Sequence, residues 1–151
     1  MSIKKEKGFN LVELMLVLVV ISILAAVATL FYNNYVIRTN RTDVETAMVQ
    51  VGQKLEAYKL VNNNYSGAAL TNTAIYGGTN YPLTGTITYT LGLTITATGW
   101  TLTATPTGKQ TGNGSLVLND QGWKCWNNPN GDATNVCSSG APTANTTWEG
   151  K

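Results

Sequence analysis

The sequence lacks histidine altogether and contains only two cysteines, Cys125 and Cys137. A Cys-His pair is therefore impossible, no glycine-rich phosphate loop or paired-carboxylate motif stands out, and the cysteine spacing matches no zinc pattern. The acidic residues Asp120, Asp132 and Glu149 are too scattered for a calcium loop, whose ligands come at alternating positions. We therefore expect no enzyme activity, no metal site and no cofactor.

Charged residues are also scarce, at 12% of the 151 residues, and the two signs nearly balance. Ten lysines and arginines oppose eight aspartates and glutamates, so the chain has no basic coat. Such a surface offers little general attraction to nucleic acid. The length and the 43% hydrophobic content suit one domain plus a membrane anchor.

One long apolar run extends from Phe9 to Leu30, and its polar residues are Asn10, Glu13, Ser22 and Thr29. At about 1.5 Å rise per residue, a helix of these 22 residues roughly matches a ~30 Å hydrocarbon core. Lysines precede the run at positions 4, 5 and 7, and lysine-rich flanks favour the cytoplasmic side. We expect a single-pass anchor with a short cytoplasmic N-terminus and an exported body.

Two other interpretations of the run remain open. The basic start, the apolar stretch and the small residues at 26–28 also fit a secretory signal peptide cut after Ala28. A plain uncleaved anchor is the second. Neither explains Glu13, because an ionisable group inside the bilayer is costly and is by default a functional residue with a partner.

The segment from Lys7 to Met15, KGFNLVELM, closely resembles the prepilin signature of type IV pilins and pseudopilins. The resemblance implies cleavage after Gly8 by a prepilin peptidase, N-methylation of the new Phe9 amine, and retention of the apolar run as an anchor. Glu13 matches the glutamate of that family, four residues after Phe9. Loss of the leader takes three lysines and one glutamate and leaves seven charges of each sign.

The chemistry of Glu13 fits this processing on physical grounds. A freed Phe9 amine and the Glu13 carboxylate lie about one helical turn apart, within reach of each other. At low dielectric the pair is strengthened, whereas either charge alone pays a desolvation cost. The pair can form within one subunit before assembly and between staggered subunits afterwards, so Glu13 is predicted to set the register of assembly.

Periodicity predicts an α+β fold after the anchor. Apolar residues at 44, 48, 51, 55 and 58 form one face of a helix that continues from the anchor to about Val61. After a loop from Asn62 to Thr84, residues alternate with period 2 over 87–97 and 100–104, which predicts a hairpin. Short strands at 116–118 and 123–126 complete an antiparallel sheet of about four strands against the helix.

The predicted organisation has four segments. They are a leader at 1–8, a transmembrane and assembly half of the helix at 9–31, an amphipathic half at 32–62, and the αβ loop, sheet and C-terminal region at 63–151. Export places Cys125 and Cys137 in an oxidising compartment, where a disulfide persists. Closing this short loop is worth roughly 3 kcal/mol and would order a segment rich in Asn, Gly and Pro.

The predicted architecture resembles the type IV pilin fold, and three further segments are similar to PilE-type minor pilins of gamma-proteobacteria. They are residues 35–43, 100–106 and 114–119. Many pilins have Thr at the position of Asn10, and commonly Gly and Pro at those of Ser22 and Leu30. Because Gly and Pro lower helix propensity by about 1 and 3 kcal/mol, their replacement predicts a straighter helix.

The resemblance implies a minor subunit that helps to initiate or cap a type IV pilus, and so supports twitching motility, adhesion and DNA uptake. Its expected partners are other pilins and minor pilins, the prepilin peptidase, the assembly machinery and the inner membrane. The body would be periplasmic before assembly and extracellular in the pilus afterwards.

Three alternative functions remain. A DNA receptor is indicated by Trp123, Lys124 and Trp126, because aromatic rings beside a cation can stack on bases and touch phosphate. A tryptophan beside a disulfide more often packs in the core, and one lysine neutralises little phosphate. A major pilin and a type II secretion pseudopilin share the prepilin signature and are the other two.

Overall fold

The computed structural model describes residues 10–96, 98–128, 137 and 141–148. One long helix, α1 (Leu11–Asn62), precedes five strands: β1 (Asn80–Tyr81), β2 (Tyr89–Ile95), β3 (Trp100–Pro106), β4 (Leu116–Asn119) and β5 (Lys124–Trp126). The strands form one antiparallel sheet in the order β1-β2-β3-β4-β5. The chain divides into two compact units, an N-terminal unit ending at Arg38 and a C-terminal unit beginning at Thr39.

In the N-terminal unit, α1 begins with a side-chain cap. The Val12 amide donates to Asn10 Oδ1 at 3.4 Å, and the Glu13 and Leu14 amides donate to the Asn10 carbonyl at 3.0 and 3.3 Å. Asparagine is among the best N-cap residues because its side-chain oxygen accepts an otherwise unpaired helix amide. Asn10 is therefore the N-cap residue of α1.

The helix then continues without a break through residues 22–30, where many pilins have glycine and proline. The hydroxyls of Ser22 and Thr29 donate to the carbonyls of Val19 and Ala26, at 2.8 and 2.9 Å. Such bonds satisfy a hydroxyl inside an apolar segment without a partner from another element.

In the C-terminal unit, the predicted apolar stripe of α1 is buried against the sheet. Val44, Met48, Val51 and Leu55 are at most 1% exposed, and Tyr58 is partly buried. The helix ends at Asn62, one residue beyond the predicted end near Val61, and Asn63 follows in the left-handed conformation at a φ of 60°. The period-3.6 pattern thus identified the core face correctly.

The sheet supplies the other half of the core. Tyr89 and Leu91 from β2, Leu102 and Ala104 from β3, and Leu116 and Leu118 from β4 alternate toward the helix and are buried. Threonines and Gly92 occupy the intervening positions of β2 and β3, so the other face of these strands is uncharged and mainly polar. This alternation is the ordinary pattern of an antiparallel sheet with one solvated face.

Two details differ from the sequence-based prediction of about four strands. A fifth strand, β1, lies in the segment predicted as a loop and pairs with Tyr89 and Thr90 of β2. Because β1 is only two residues long, it has no measurable alternation of apolar and polar residues, and periodicity could not predict it. Ile87 was predicted to start the hairpin, but it precedes β2 and is 40% exposed. Ala97, at the end of the predicted strand, lies outside the described residues.

The disulfide between Cys125 and Cys137 is present, as predicted, with the two Cα atoms 5.4 Å apart. Both cysteines are buried and pack with Val117 in a small cluster separate from the main core. Because Val117 pairs with Cys125 and does not belong to the main core cluster, the bridge covers the side of β4 that points away from α1.

Candidate functional site

The N-terminal unit presents an apolar surface on every side of its helix. The large apolar side chains described from Leu11 to Phe31 are 44–73% exposed. In the described part of the chain, α1 is the one helix long and apolar enough to cross a membrane. A helix that is apolar all round requires lipid or other helices around it.

Glu13 lies in the first turn of this helix and is exposed. Ser22 and Thr29 bond to their own helix, whereas no partner of the Glu13 carboxylate is found among the described residues. An acidic residue near a helix N-terminus is favoured by the helix dipole, yet a carboxylate at membrane depth still needs a counter-charge. The predicted cleavage site at Gly8 and Phe9 lies outside the described residues.

The predicted DNA-contact residues do not form one surface. Trp126 is 9% exposed, its indole N–H donates to the Asn113 carbonyl at 2.8 Å, and the Arg41 guanidinium lies 3.8 Å from the ring centroid. One face of the ring is therefore covered by Arg41 and the rest by the core. Trp126 is a packing residue with no free ring face for a base.

Lys124 and Trp123 have different environments. The Lys124 ammonium lies 4.8 Å from the ring centroid of Trp148, a C-terminal tryptophan that is 7% exposed and donates its indole N–H to the Val117 carbonyl at 3.1 Å. Trp123 precedes β5 and is 37% exposed, the highest exposure of the four tryptophans. Of the three residues, Trp123 is the one whose ring a ligand could reach.

Trp100 completes this set of tryptophans. Its ring packs on Gly52 of α1, where an added Cβ would lie 2.9 Å from Cη2, and its indole N–H donates to Glu56 Oε1 at 3.0 Å. The same oxygen accepts the Tyr65 hydroxyl at 2.7 Å. Burial, reinforced by this bond, raises the pKa of Tyr65 to about 12. Glu56 thus ties the αβ loop and β3 to the helix.

Sequence reasoning missed the role of Glu56, although one signal was available. Glu56 follows the stripe residue Leu55 directly and lies one turn after Gly52, so it borders the apolar face. A polar residue at the border of a buried stripe is positioned to accept bonds from core tryptophans and tyrosines.

Exposed positive charge is sparse in the C-terminal unit. The exposed lysines of its described residues are Lys54, Lys59 and Lys109. Arg41 pairs with Glu45 at 3.8 Å, and the Lys59 ammonium lies 4.9 Å from the Tyr65 ring centroid. No group of three or more potential metal ligands is found in the described residues. The surface can supply few phosphate contacts and a single accessible indole.

Two family models match the chain. The first, for the prokaryotic N-terminal methylation motif, matches residues 3–29. The second, for the type IV minor pilin ComP, DNA uptake sequence receptor, matches residues 31–125, more than half of the chain. A search of curated proteins found no match.

The methylation motif covers the exposed apolar stretch of α1, and the minor-pilin model begins at Phe31, within α1, and extends to Cys125 in β5. They confirm the predicted pilin fold, and the pilin family is structural rather than enzymatic. Its members assemble with other pilins through the pilus machinery. The chain belongs to the ComP family of type IV minor pilins, anchored in the inner membrane by its N-terminal helix before assembly into an extracellular pilus.

Proposed function

We propose that the prepilin leader is cleaved between Gly8 and Phe9, that the Phe9 amine is methylated, and that Glu13 accepts this amine as its counter-charge. The match to the methylation motif over residues 3–29 supports the processing step. The lack of a partner for the Glu13 carboxylate among the described residues supports the pairing, because the other polar side chains of the segment, Asn10, Ser22 and Thr29, have partners within the described helix.

Incorporation into pili tests the role of Glu13. Glu13→Leu removes the charge, so the Phe9 amine must enter the filament core unpaired, and we expect little of this variant in sheared pili. Ser22→Ala is the matched control, because it removes a polar group of the same segment whose bond is internal to the helix. Mass spectrometry of the N-terminus reports methylated Phe9. Equal incorporation of Glu13→Leu and the parent, or an intact leader, would overturn the proposal.

We propose that the subunit initiates or caps assembly rather than forming the bulk of the filament. The minor-pilin match over residues 31–125 supports this role. Quantitative mass spectrometry of sheared pili should find the subunit far below the major pilin, and deletion should reduce surface pili. A dominant signal in the sheared sample would contradict the proposal.

We further propose that the subunit binds DNA during uptake, through its C-terminal unit. The observation that carries this proposal is the match to a family model described as a DNA uptake sequence receptor, over all of β1 to β4 and the start of β5. The scarcity of exposed lysines predicts that binding depends little on phosphate contacts. With about two or three contacts, the affinity should fall with salt with a slope of about −2 to −3 in log units.

Trp123 is the candidate stacking residue, because Trp126 is buried and Lys124 already lies on Trp148. Base–aromatic stacking is worth about 1–3 kcal/mol, so Trp123→Ala should weaken binding about 5-fold to 150-fold. Leu60→Ala is the control, since Leu60 is an exposed apolar side chain on another element.

Fluorescence anisotropy of the full-length protein in nanodiscs measures this binding, with DNA from the same species against unrelated DNA. Unchanged affinity in Trp123→Ala would exclude Trp123, and absence of any binding at low salt would exclude the receptor function. Transformation frequency measured together with pilus number separates a DNA defect from an assembly defect.

A further inference from the structure

Three exposed aromatic side chains mark the end of the apolar surface in the N-terminal unit. Phe31, Tyr32 and Tyr35 are 70%, 66% and 68% exposed. Neither tyrosine hydroxyl has a hydrogen-bond partner within the described part of the chain. We name these three residues the aromatic collar. Neither the apolar run that spans the membrane nor the proposed DNA contact accounts for the aromatic collar.

The collar occupies one side of the helix. At 100° per residue, Phe31 and Tyr35 lie one turn apart on the same face and Tyr32 lies beside them, whereas Asn33 and Asn34 occupy the opposite side. The rings therefore form one continuous aromatic face about a third of the circumference wide. Such an aromatic cluster fits an environment that changes, along the helix axis, from apolar to hydrated.

The position of the collar along the chain identifies that environment. From Leu11 to Phe31 the helix has 21 residues, which at about 1.5 Å each extend ~30 Å, the thickness of the hydrocarbon core. Tyr32 is the first tyrosine in the sequence, no tryptophan precedes it, and the first basic residue after the apolar run is Arg38. Tyrosine is enriched where acyl chains meet head groups, because its ring is apolar and its hydroxyl is hydrated.

We propose that the aromatic collar lies in the head-group region of the periplasmic leaflet and fixes the depth of the membrane-resident subunit. Phe31 closes the hydrocarbon-facing surface, and the Tyr32 and Tyr35 hydroxyls bond to lipid carbonyls, phosphates or water. Before processing, the lysines at 4, 5 and 7 hold the other end of the helix on the cytoplasmic side; after processing these lysines are gone and the collar remains. The collar would then resist displacement of the helix in either direction.

Spin-label accessibility measures this depth directly. Full-length protein with single labelled cysteines at Ala25, Ala28, Asn33 or Val36 is placed in vesicles of phosphatidylethanolamine and phosphatidylglycerol, with the native disulfide oxidised. Accessibility to oxygen dominates inside the bilayer and accessibility to a water-soluble nickel chelate dominates outside. The crossover between the two should fall within residues 31–35.

Substitution of both tyrosines tests whether the collar sets the crossover. Tyr32→Ser with Tyr35→Ser should move it by about one helical turn, ~5 Å, and tryptophan at both positions should restore it. Serine at Asn34 is the matched control at the same depth away from the aromatic face, and should leave the crossover unchanged.

A crossover before Ala28 or beyond Val36 would overturn the proposal. An unchanged crossover in the double serine variant would also overturn it. If that variant also fails to enter pili, the rings contact neighbouring helices rather than lipid. Both readouts are independent of Glu13 and of DNA binding, so failure here leaves the proposed function intact.

Discussion

In the N-terminal unit, α1 exposes apolar side chains on every face, whereas in the C-terminal unit the same helix buries one apolar stripe and exposes mainly polar residues, with Leu60 and Val61 as large apolar exceptions near its end. The apolar surface of the N-terminal unit must be covered by lipid or by other subunits. The apolar stripe in the C-terminal unit is covered by the sheet of the same chain. One helix therefore contains two segments that are stabilised differently, the first by lipid or other subunits and the second by packing on the sheet.

The polar groups of the aromatic side chains also differ between the two units. The indole N–H groups of Trp100, Trp126 and Trp148 each donate to an acceptor within the C-terminal unit. Tyr32 and Tyr35 of the N-terminal unit have no such acceptor among the described residues. Substitutions in the domain should therefore change its unfolding while the membrane insertion of the helix stays unchanged.

The largest expected effect is that of Trp126→Ala. It removes a buried ring, its bond to the Asn113 carbonyl and its contact with Arg41, and should cost about 3–5 kcal/mol of unfolding free energy. Urea unfolding of the full-length protein in nanodiscs, followed by circular dichroism, measures the loss. Trp123→Ala is the control, with a change within about 1 kcal/mol. Similar losses for both variants would show that Trp126 is not a core residue.

Removal of the disulfide should have the next largest effect. The double variant Cys125→Ala and Cys137→Ala opens the loop and should lower the unfolding free energy by roughly 3 kcal/mol. Replacing both cysteines avoids a free thiol. Fractionation of membranes should find the variant anchored as well as the parent. A loss of membrane anchoring would break the comparison between the two units.

Gly52→Ala separates helix propensity from packing. Propensity alone predicts a gain of about 1 kcal/mol, but the new Cβ would lie 2.9 Å from the Trp100 ring. Because that ring is buried and held by Glu56, we expect a net loss of about 1–3 kcal/mol. Gln53→Ala, on the exposed side, should change stability by less than about 0.5 kcal/mol. A stabilised Gly52→Ala protein would contradict the packing found here.

The smallest expected effect is a gain. The Tyr89 hydroxyl is buried without a hydrogen-bond partner in the described residues, so Tyr89→Phe should stabilise the domain by about 1 kcal/mol at neutral pH. Burial also raises the pKa of Tyr89 from 10.0 to about 12. Between these values the unfolded chain loses the proton and the folded chain keeps it, so stability falls as pH rises.

The pH dependence supplies the control for this prediction. In Tyr89→Phe the fall in unfolding free energy between pH 10 and 12 should be shallower, by about 1.4 kcal/mol per pH unit at most. Tyr65 has a similarly raised pKa and should account for part of the remaining slope. Identical slopes in the parent and the variant would mean that Tyr89 titrates at its ordinary pKa.

Much of the fold could be predicted because it rests on local patterns. The stripe from Val44 to Leu55, the alternation of β2 and β3 and the end of α1 near Asn62 all follow from residue spacing. The two-residue strand β1 was missed because its formation depends on pairing with β2, which leaves no signal in its own sequence.

The candidate site was harder to predict, because exposure depends on tertiary contacts. Trp123 and Trp126 are equivalent as residue types, yet one is reachable and the other lies under Arg41. By helix propensity alone Gly52 only weakens α1, whereas in the structure it provides the space for the Trp100 ring. Trp148 lies far from β4 in sequence, and its bond to Val117 could not be inferred from spacing.

The bonds of Ser22 and Thr29 to Val19 and Ala26 have one further consequence. A segment whose hydroxyls are satisfied by its own backbone can pass between lipid and protein surroundings without exchanging those bonds. The transfer then changes mainly van der Waals neighbours, which suits a subunit that is anchored in the membrane before it is assembled into a pilus. Glu13 alone would have to exchange one partner for another on each passage.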